Sequence, residues 1–133
     1  MISLTRKSDY ALVGVAGLAA AGGDLDEFTI GLEEAVSDGV PGPGAGNIES
    51  PGASDVYTLD VVAGQAVYFD RTTSTCGLRW TATSPGGAVL FDLLYCAATP
   101  GTIVMDATGP LTITVSGNHD GTGTYSFIIW DVN

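Results

Sequence analysis

The feature that most constrains this chain is a strict two-residue alternation of apolar and hydroxyl side chains. Residues 111–116 read LTITVS, so Leu111, Ile113 and Val115 share one face while hydroxyl side chains occupy the other. This pattern is typical of a β-strand with one buried and one solvated face. Residues 78–84 (LRWTATS) repeat it, with the leucine, tryptophan and alanine expected to point inward.

Further short runs follow the same period along the C-terminal two-thirds of the chain. Residues 55–62 alternate, residues 61–67 read as strand, tight turn and strand, and residues 88–93 form a short apolar run. Residues 124–132 carry apolar side chains on both faces. The chain has 19 glycines and six prolines, which are typical of the turns that separate such runs. Roughly seven or eight short strands joined by turns predict an all-β, two-layer antiparallel β-sandwich.

The two cysteines are expected to staple this sandwich. Residues 84–88 (SPGGA) predict a hairpin turn, because proline presets the first dihedral and glycine tolerates the positive φ that follows. If Ser84 faces Ala88, a regular ladder places Cys76 opposite Cys96. We predict a Cys76–Cys96 disulfide that closes a loop of about twenty residues, adds roughly 3 kcal/mol and indicates an oxidising compartment. Two separately buried thiols are the alternative.

The charge balance excludes some classes of ligand. The chain has 4 Lys and Arg residues against 15 Asp and Glu residues, for a net charge of −11. Beyond Gly22 only Arg71 and Arg79 are basic, so most of the surface repels nucleic acid and anionic membranes. Such acidity suits divalent cations. No later stretch is apolar over the ~18 residues of a membrane span, and none is expected in the mature chain.

The N-terminal residues 1–21 have the three-part layout of a secretory signal peptide. Arg6 and Lys7 supply a positive start, residues 11–21 form a short apolar run, and residues 19–21 are the small side chains that a signal peptidase needs. The alternative is a helix that stays in the mature protein. Either reading predicts a helical, signal-like segment before the sandwich.

The same region carries a second resemblance. Residues 4–19 (LTRKSDYALVGVAGLA) resemble the first helix of the winged-helix, redox-sensing repressors. That resemblance implies DNA binding and a cysteine-ligated iron–sulfur cluster. The rest of the chain does not continue the pattern, and one helix without a recognition helix does not bind DNA specifically.

Residues 22–45 are expected to form an acidic, Gly/Pro-rich linker. Leu25, Phe28, Leu32 and Val36 recur at helical spacing, which favours a short helix within the segment. The prolines and glycines that follow end any helix and free the backbone. The boundary of the β domain is therefore predicted near residue 46.

A family resemblance covers residues 46–133. Residues 46–52 (GNIESPG), 55–59 (DVYTL) and 63–70 (AGQAVYFD), with the ending 122–132 (TGTYSFIIWDV), resemble the bacterial pre-peptidase C-terminal domain. The resemblance implies a jelly-roll-like sandwich that serves as an accessory module of secreted proteins. Some relatives bind calcium or help to engage a matrix or substrate. The two cysteines depart from the general pattern.

Candidate ligand positions follow from chemistry rather than from a motif. Calcium is the cofactor to consider, because several acids lie at strand ends or turns where oxygen ligands converge. These candidate ligands are Glu49, Asp55, Asp70, Asp106 and Asp120.

Aromatic side chains raise a second kind of ligand. Tyr68 and Trp130 are candidates for exposed side chains that stack on sugar rings, whereas Tyr57 and Trp80 fall on the inward phase. The single histidine, His119, lies in a Gly/Asn-rich loop and is expected to be a turn residue. No nucleophile motif accompanies it, so an enzyme is not expected.

The sequence thus predicts a non-catalytic binding module, secreted or at the cell surface. Its expected partners are an extracellular matrix, a polysaccharide or a protein, and nucleic acid is not among them. A truncated winged-helix DNA-binding regulator fused to the sandwich and a hydrolase are the alternatives.

Overall fold

The computed structural model describes residues 25–73, 75–97 and 99–132. Within these residues the chain forms ten β-strands. Their bounds are β1 Leu25–Thr29, β2 Asn47–Ile48, β3 Ser54–Val61, β4 Ala66–Arg71, β5 Leu78–Thr83, β6 Val89–Leu94, β7 Gly101–Val104, β8 Gly109–Gly117, β9 Gly123–Thr124 and β10 Phe127–Asp131.

The strands form two main layers. One is a five-stranded sheet in the order β1-β3-β8-β5-β6, and the other is a three-stranded sheet in the order β10-β4-β7. A short β2-β9 pair lies beside them. The all-β fold predicted from the alternation is confirmed, but one pairing departs from the antiparallel expectation, because β1 runs parallel to β3.

The alternation of β8 places its apolar side chains in the core. Leu111, Ile113 and Val115 are all 0% exposed. They share the inner face of the five-stranded sheet with Trp80, which is 1% exposed. The inward phase predicted for these residues is therefore confirmed.

Aromatic contacts join the two layers. Phe127 of the three-stranded sheet lies edge-on to Tyr57 of the five-stranded sheet, with ring centroids 5.3 Å apart. Phe69 and Phe91 make a similar contact at 5.0 Å, and Trp80 lies 5.8 Å from Phe127. Edge-to-face pairs add stabilisation beyond that of their buried area. Aromatic contacts between the two sheets therefore stabilise the core.

The segment before residue 46 is not a spacer with a helix. Leu25–Thr29 is β1, and Asp26 and Phe28 pair in register with Asp55 and Tyr57 of β3. The prediction of a short helix is wrong because the ladder and the packing override the helical spacing of four apolar residues. Farther along the segment Val36 is fully buried, so the segment packs onto the sandwich.

The β5–β6 hairpin contains a bulge that the sequence did not reveal. The turn forms at Ser84, whose backbone N–H donates to the carbonyl oxygen of Ala88 over 2.8 Å. A register shift between Ala82 and Thr83 then places Trp80 opposite Leu93, one residue away from the regular ladder. The bulge changes which side chains face each other along the two strands.

The turn between β3 and β4 joins two sheets. These consecutive strands belong to the five-stranded and the three-stranded sheet, so they do not pair with each other. Gly64 takes a φ of 84° in this turn, which only glycine adopts readily. The chain therefore passes from one layer to the other here.

Within the described residues, the chain contains no helix long and apolar enough to cross a membrane. The signal-like segment 1–21 and the repressor-like residues 4–19 lie outside the described residues.

Candidate functional site

The outer face of the three-stranded sheet carries an aromatic pair, of which one side chain is exposed and the other is half-buried. The inward side chains of β10, Phe127 and Ile129, are fully buried, so Trp130 points away from the core and is 38% exposed. It lies directly opposite Tyr68 of the central strand β4. Both residues predicted from sequence as candidate stacking side chains thus lie together on one face.

A hydrogen bond fixes the tryptophan ring on this face. Trp130 Nε1 donates to Asp70 Oδ2 over 3.0 Å. Asp70 lies on the same strand as Tyr68, two residues along, and is in register with Ile128 of β10. Because the indole N–H is already engaged, the orientation of the ring is fixed while the side chain stays partly exposed.

Small and apolar side chains extend this platform. Thr102 of β7 lies opposite Tyr68, and Val104 lies opposite Ala66. Val104 is 61% exposed and Val132 is 46% exposed. We call the set Tyr68, Asp70, Thr102, Val104, Ile128, Trp130 and Val132 the aromatic face.

Neither described arginine belongs to the aromatic face. Arg79 pairs with Asp92 on the five-stranded sheet, with Nε 2.6 Å from Oδ1. Arg71 donates from Nη1 to the backbone carbonyl oxygens of Tyr95, over 2.5 Å, and of Ala97. The aromatic face therefore carries an acid, Asp70, and no basic side chain of the described chain.

A second polar feature is buried and joins β3 to Tyr125, which lies in the short connection between β9 and β10. Tyr125 donates its hydroxyl to Asp55 Oδ2 over 2.5 Å, and the Tyr57 and Tyr125 hydroxyl oxygens lie 2.6 Å apart. The backbone N–H of Gly46 donates to the Tyr57 hydroxyl over 3.0 Å. We call Asp55, Tyr57 and Tyr125 the buried acid–tyrosine network.

Burial raises the pKa of Asp55 to about 8, against an ordinary 3.8. The Tyr125 hydrogen bond lowers it, whereas the negative charges of Asp26 and Glu49 raise it. The nearby backbone N–H of Asn47 lowers it by less. Because Asp26 is the register partner of Asp55 on a parallel strand, two acids lie side by side, and a proton on Asp55 relieves their repulsion.

The Asp26 and Glu49 carboxylates both lie beside Gly44. A Cβ placed on Gly44 would be 2.5 Å from Asp26 Oδ2 and 3.6 Å from Glu49 Oε2. Asp26 is 9% exposed. Glycine at this position therefore leaves the space that the two carboxylates use.

The five predicted calcium ligands are spread over the sandwich. Glu49 is exposed close to Asp55, whose Oδ1 is buried and lacks a hydrogen-bonding partner within the described residues. Asp106 accepts from Ser84 Oγ over 2.9 Å. Asp70 holds Trp130, and Asp120 lies in an exposed turn with a φ of 66°.

The fit to a metal is incomplete. Among residues 25–132 as described, no group of three or more His, Cys, Asp or Glu side chains is arranged to hold a metal ion. The raised pKa lets a proton neutralise Asp55 instead. Calcium binding by these five residues stays a prediction.

The predicted disulfide forms between Cys76 and Cys96, whose Cα atoms are 4.7 Å apart. The regular ladder used to predict it is wrong, because the bulge shifts β5 against β6. The cysteines still meet because both lie beyond the strands, in turns where Leu78 N–H donates to Thr75 and Ala97 N–H donates to Leu94.

His119 occupies an exposed turn, with a φ of 56°. Asn118 N–H donates to the Gly77 carbonyl oxygen over 2.9 Å, which holds this loop beside the disulfide. Left-handed backbone is tolerated by histidine in such turns.

Comparison with known proteins identifies the fold. No protein-family model matches the sequence, and no curated protein matches it at a significant level. The pre-peptidase C-terminal domain of a collagenase from Bacillus anthracis superposes with a TM-score of 0.53 and 15% identity, covering 78% of this chain and 94% of that domain.

Two lysozyme inhibitors superpose equally well. PliG of Aeromonas hydrophila, a periplasmic inhibitor of g-type lysozyme, gives a TM-score of 0.53 and 14% identity, covering 80% of this chain and 97% of that one. A mutant of the Escherichia coli PliG gives 0.54 and 16%, with the same coverage. The chain therefore has a β-sandwich like that of the pre-peptidase C-terminal domain, and the resemblance predicted from residues 46–133 is confirmed at the level of the fold.

Sequence reasoning missed three residues of these features. The pattern places Asp26 in a linker, places Tyr125 on one of the two apolar faces of residues 124–132, and gives Arg71 no role. The signal for the buried network was present in part, because Asp55 shares the inward phase of Tyr57 in β3.

Proposed function

We propose that this chain is a non-catalytic, extracytoplasmic binding module whose ligand docks on the aromatic face. The observation that carries the proposal is the exposed Trp130 beside the half-buried Tyr68 on the outer side of a sheet whose inner side is packed. Tyrosine and tryptophan supply large contact area at low entropic cost and dominate binding hot spots.

The compartment is part of the same proposal. The Cys76–Cys96 disulfide supports an oxidising environment. Three of the structural neighbours are described as periplasmic, which agrees with it. N-terminal sequencing of exported protein tests the predicted removal of residues 1–21, and a mature chain that still begins at Met1 in the cytoplasm would contradict it.

The neighbours also support a binding role over catalysis. They are described as the pre-peptidase C-terminal domain of a collagenase and as inhibitors of g-type lysozyme, and an inhibitor of an enzyme binds a protein. If the protein were a hydrolase, we would expect His119 to take part in catalysis. Hydrolysis that disappears in His119→Ala would favour that alternative.

A retention experiment tests the aromatic face. The wild type, Trp130→Ala and Thr114→Ala are passed over immobilised g-type lysozyme, chitin and fibrillar collagen. Thr114 lies on the outer face of the five-stranded sheet, in β8, and is the matched control. We expect retention on at least one ligand, at least tenfold weaker binding for Trp130→Ala, and an unchanged Thr114→Ala.

Two results would overturn the proposal. One is retention on none of the three ligands, and the other is equal binding by the wild type and Trp130→Ala. Circular dichroism and thermal melting of each variant separate lost binding from lost folding.

A further inference from the structure

We infer that the partner of the aromatic face is a protein surface that presents lysine or arginine side chains. The inference deepens the proposed function, because it rests on the same face as the binding surface. Its basis is the combination of aromatic rings with a surrounding excess of acid.

The described surface is almost without bases. Of the 15 acids only Asp9 and Asp24 lie outside the described residues, and of the 4 bases Arg6 and Lys7 do. Thirteen acids and two arginines remain. Since both arginines bond elsewhere in the fold, the field at the aromatic face is negative and attracts cations.

Acids also border the face itself. Asp70 accepts the Trp130 N–H with one oxygen, and a carboxylate retains further acceptor sites. At the edge of β10, the Glu33 backbone N–H donates to the Ile129 carbonyl oxygen over 2.7 Å. Glu33 and Glu34 are both exposed, so acidic side chains border the strand that carries Trp130.

This arrangement matches a guanidinium or an ammonium group. A cation over the Trp130 or Tyr68 ring is attracted by the ring electrons. An arginine in that position also finds the Asp70 carboxylate two residues along the strand from Tyr68, and charge-assisted hydrogen bonds are stronger than neutral ones. The apolar Val104 and Val132 suit the aliphatic part of such a side chain.

A neutral polysaccharide uses only half of these features. Sugar rings stack on tyrosine and tryptophan, but they gain nothing from the uniform negative field. A basic protein gains from both the rings and the field. The charge distribution therefore favours the protein partner.

The test uses two defined probes and a matched pair of charge variants. A tetra-arginine peptide and chitohexaose are titrated separately into ¹⁵N-labelled full-length protein. Asp70→Asn keeps an acceptor for Trp130 but removes the charge. Asp60→Asn removes an equal charge from an exposed end of β3 in the other sheet.

We expect saturable shifts of the Trp130 indole N–H with tetra-arginine. The affinity should fall at least threefold in Asp70→Asn, at least fivefold in Trp130→Ala, and less than 1.5-fold in Asp60→Asn. It should also weaken as salt rises from 50 to 200 mM.

Two outcomes overturn the inference. Shifts spread over the acidic surface, or equal losses in Asp70→Asn and Asp60→Asn, mean that net charge alone attracts the peptide. Saturable binding of chitohexaose at Trp130 without tetra-arginine binding means that the face binds sugars. In that second case the proposed binding face stands and only the basic partner is wrong.

Discussion

The centres of the two outer faces of this sandwich differ in chemistry. Along its central strands the five-stranded sheet presents hydroxyl side chains in register, since Thr114 lies opposite Thr81 and Thr112 lies between Thr58 and Thr83. Its exposed apolar side chains, Leu25, Val89 and Leu94, are confined to the edge strands β1 and β6. The three-stranded sheet presents the aromatic face. Threonine hydroxyl groups hydrogen-bond to water, so their exposure costs little free energy. Exposure of tryptophan and valine leaves apolar surface in contact with water, which is unfavourable.

The difference separates what the fold requires from what a binding surface would add. Both faces lie above the same packed core, so neither composition is needed to hold the layers together. We call the threonine-rich centre of the outer side of the five-stranded sheet the hydroxyl face. Polar side chains at these positions are what is expected of strands with one buried and one solvated side. The aromatic face departs from that default, and this departure is what the proposed function would explain.

The largest expected effect on the unfolding free energy is that of Trp80→Ala, and Trp130→Ala is its comparison. Trp80→Ala removes a ring that contacts Phe91, Tyr95 and Phe127, and it should cost about 3–5 kcal/mol of unfolding free energy. Trp130→Ala should cost no more than about 1 kcal/mol, because the ring is partly in water. Guanidinium denaturation measures both, and equal losses would break the contrast between core and face.

The disulfide gives the next largest effect. Cys76→Ser with Cys96→Ser should lower the unfolding free energy by roughly 3 kcal/mol, because the loop is freed in the unfolded chain. Thermal melting of the double variant should match that of reduced wild type. A melting temperature unchanged by both treatments would show that the disulfide does not stabilise the five-stranded sheet at the end of β5.

The buried acid–tyrosine network predicts a pH dependence. The pKa of Asp55 is about 8 in the fold and near 3.8 when unfolded, so the folded state keeps a proton that the unfolded state loses. Stability is therefore full below the unfolded pKa and falls as pH rises toward 8, by up to roughly 1.4 kcal/mol per pH unit.

Asp55→Asn should remove this slope, because asparagine does not titrate. Urea denaturation at pH 5, 6, 7 and 8 compares it with the wild type and with Asp60→Asn. Asp60→Asn should keep the wild-type slope. Parallel curves for the wild type and Asp55→Asn would mean that Asp55 is ionised inside the fold.

The smallest expected effect lies on the hydroxyl face. Thr114→Ala should change the unfolding free energy by no more than about 0.5 kcal/mol and leave ligand retention within twofold. Chemical denaturation and the retention assay check both values. A large loss of binding would move the ligand to the five-stranded sheet and reverse the comparison.

Much of the sandwich was predictable from local pattern. The burial of Leu111, Ile113 and Val115 could be predicted because a strand has only two faces, and its apolar side chains all fall on one of them. The shared outward phase of Tyr68 and Trp130 follows from the same period, whereas their role in binding a ligand stays a prediction. The Cys76–Cys96 pair was predicted correctly although the bulge invalidates the ladder, because the turns that hold the cysteines compensate for the shift.

The errors came from interactions distant in sequence. The parallel β1–β3 pair depends on a partner about thirty residues away along the chain, which no local period encodes. Asp55 looked like a surface acid until Tyr125, 70 residues later, donated to it. The arrangement of the aromatic face likewise needed the register of β4 and β10, which only the fold supplies.

The most direct test is the solvent accessibility of the two tryptophans in single-tryptophan variants. In Trp80→Phe the remaining Trp130 should emit at longer wavelength and be quenched strongly by acrylamide and by caesium, since it is exposed beside acids. In Trp130→Phe the remaining Trp80 should emit at shorter wavelength and resist quenching. A Trp130 as protected as Trp80 in the unbound protein would contradict an open aromatic face.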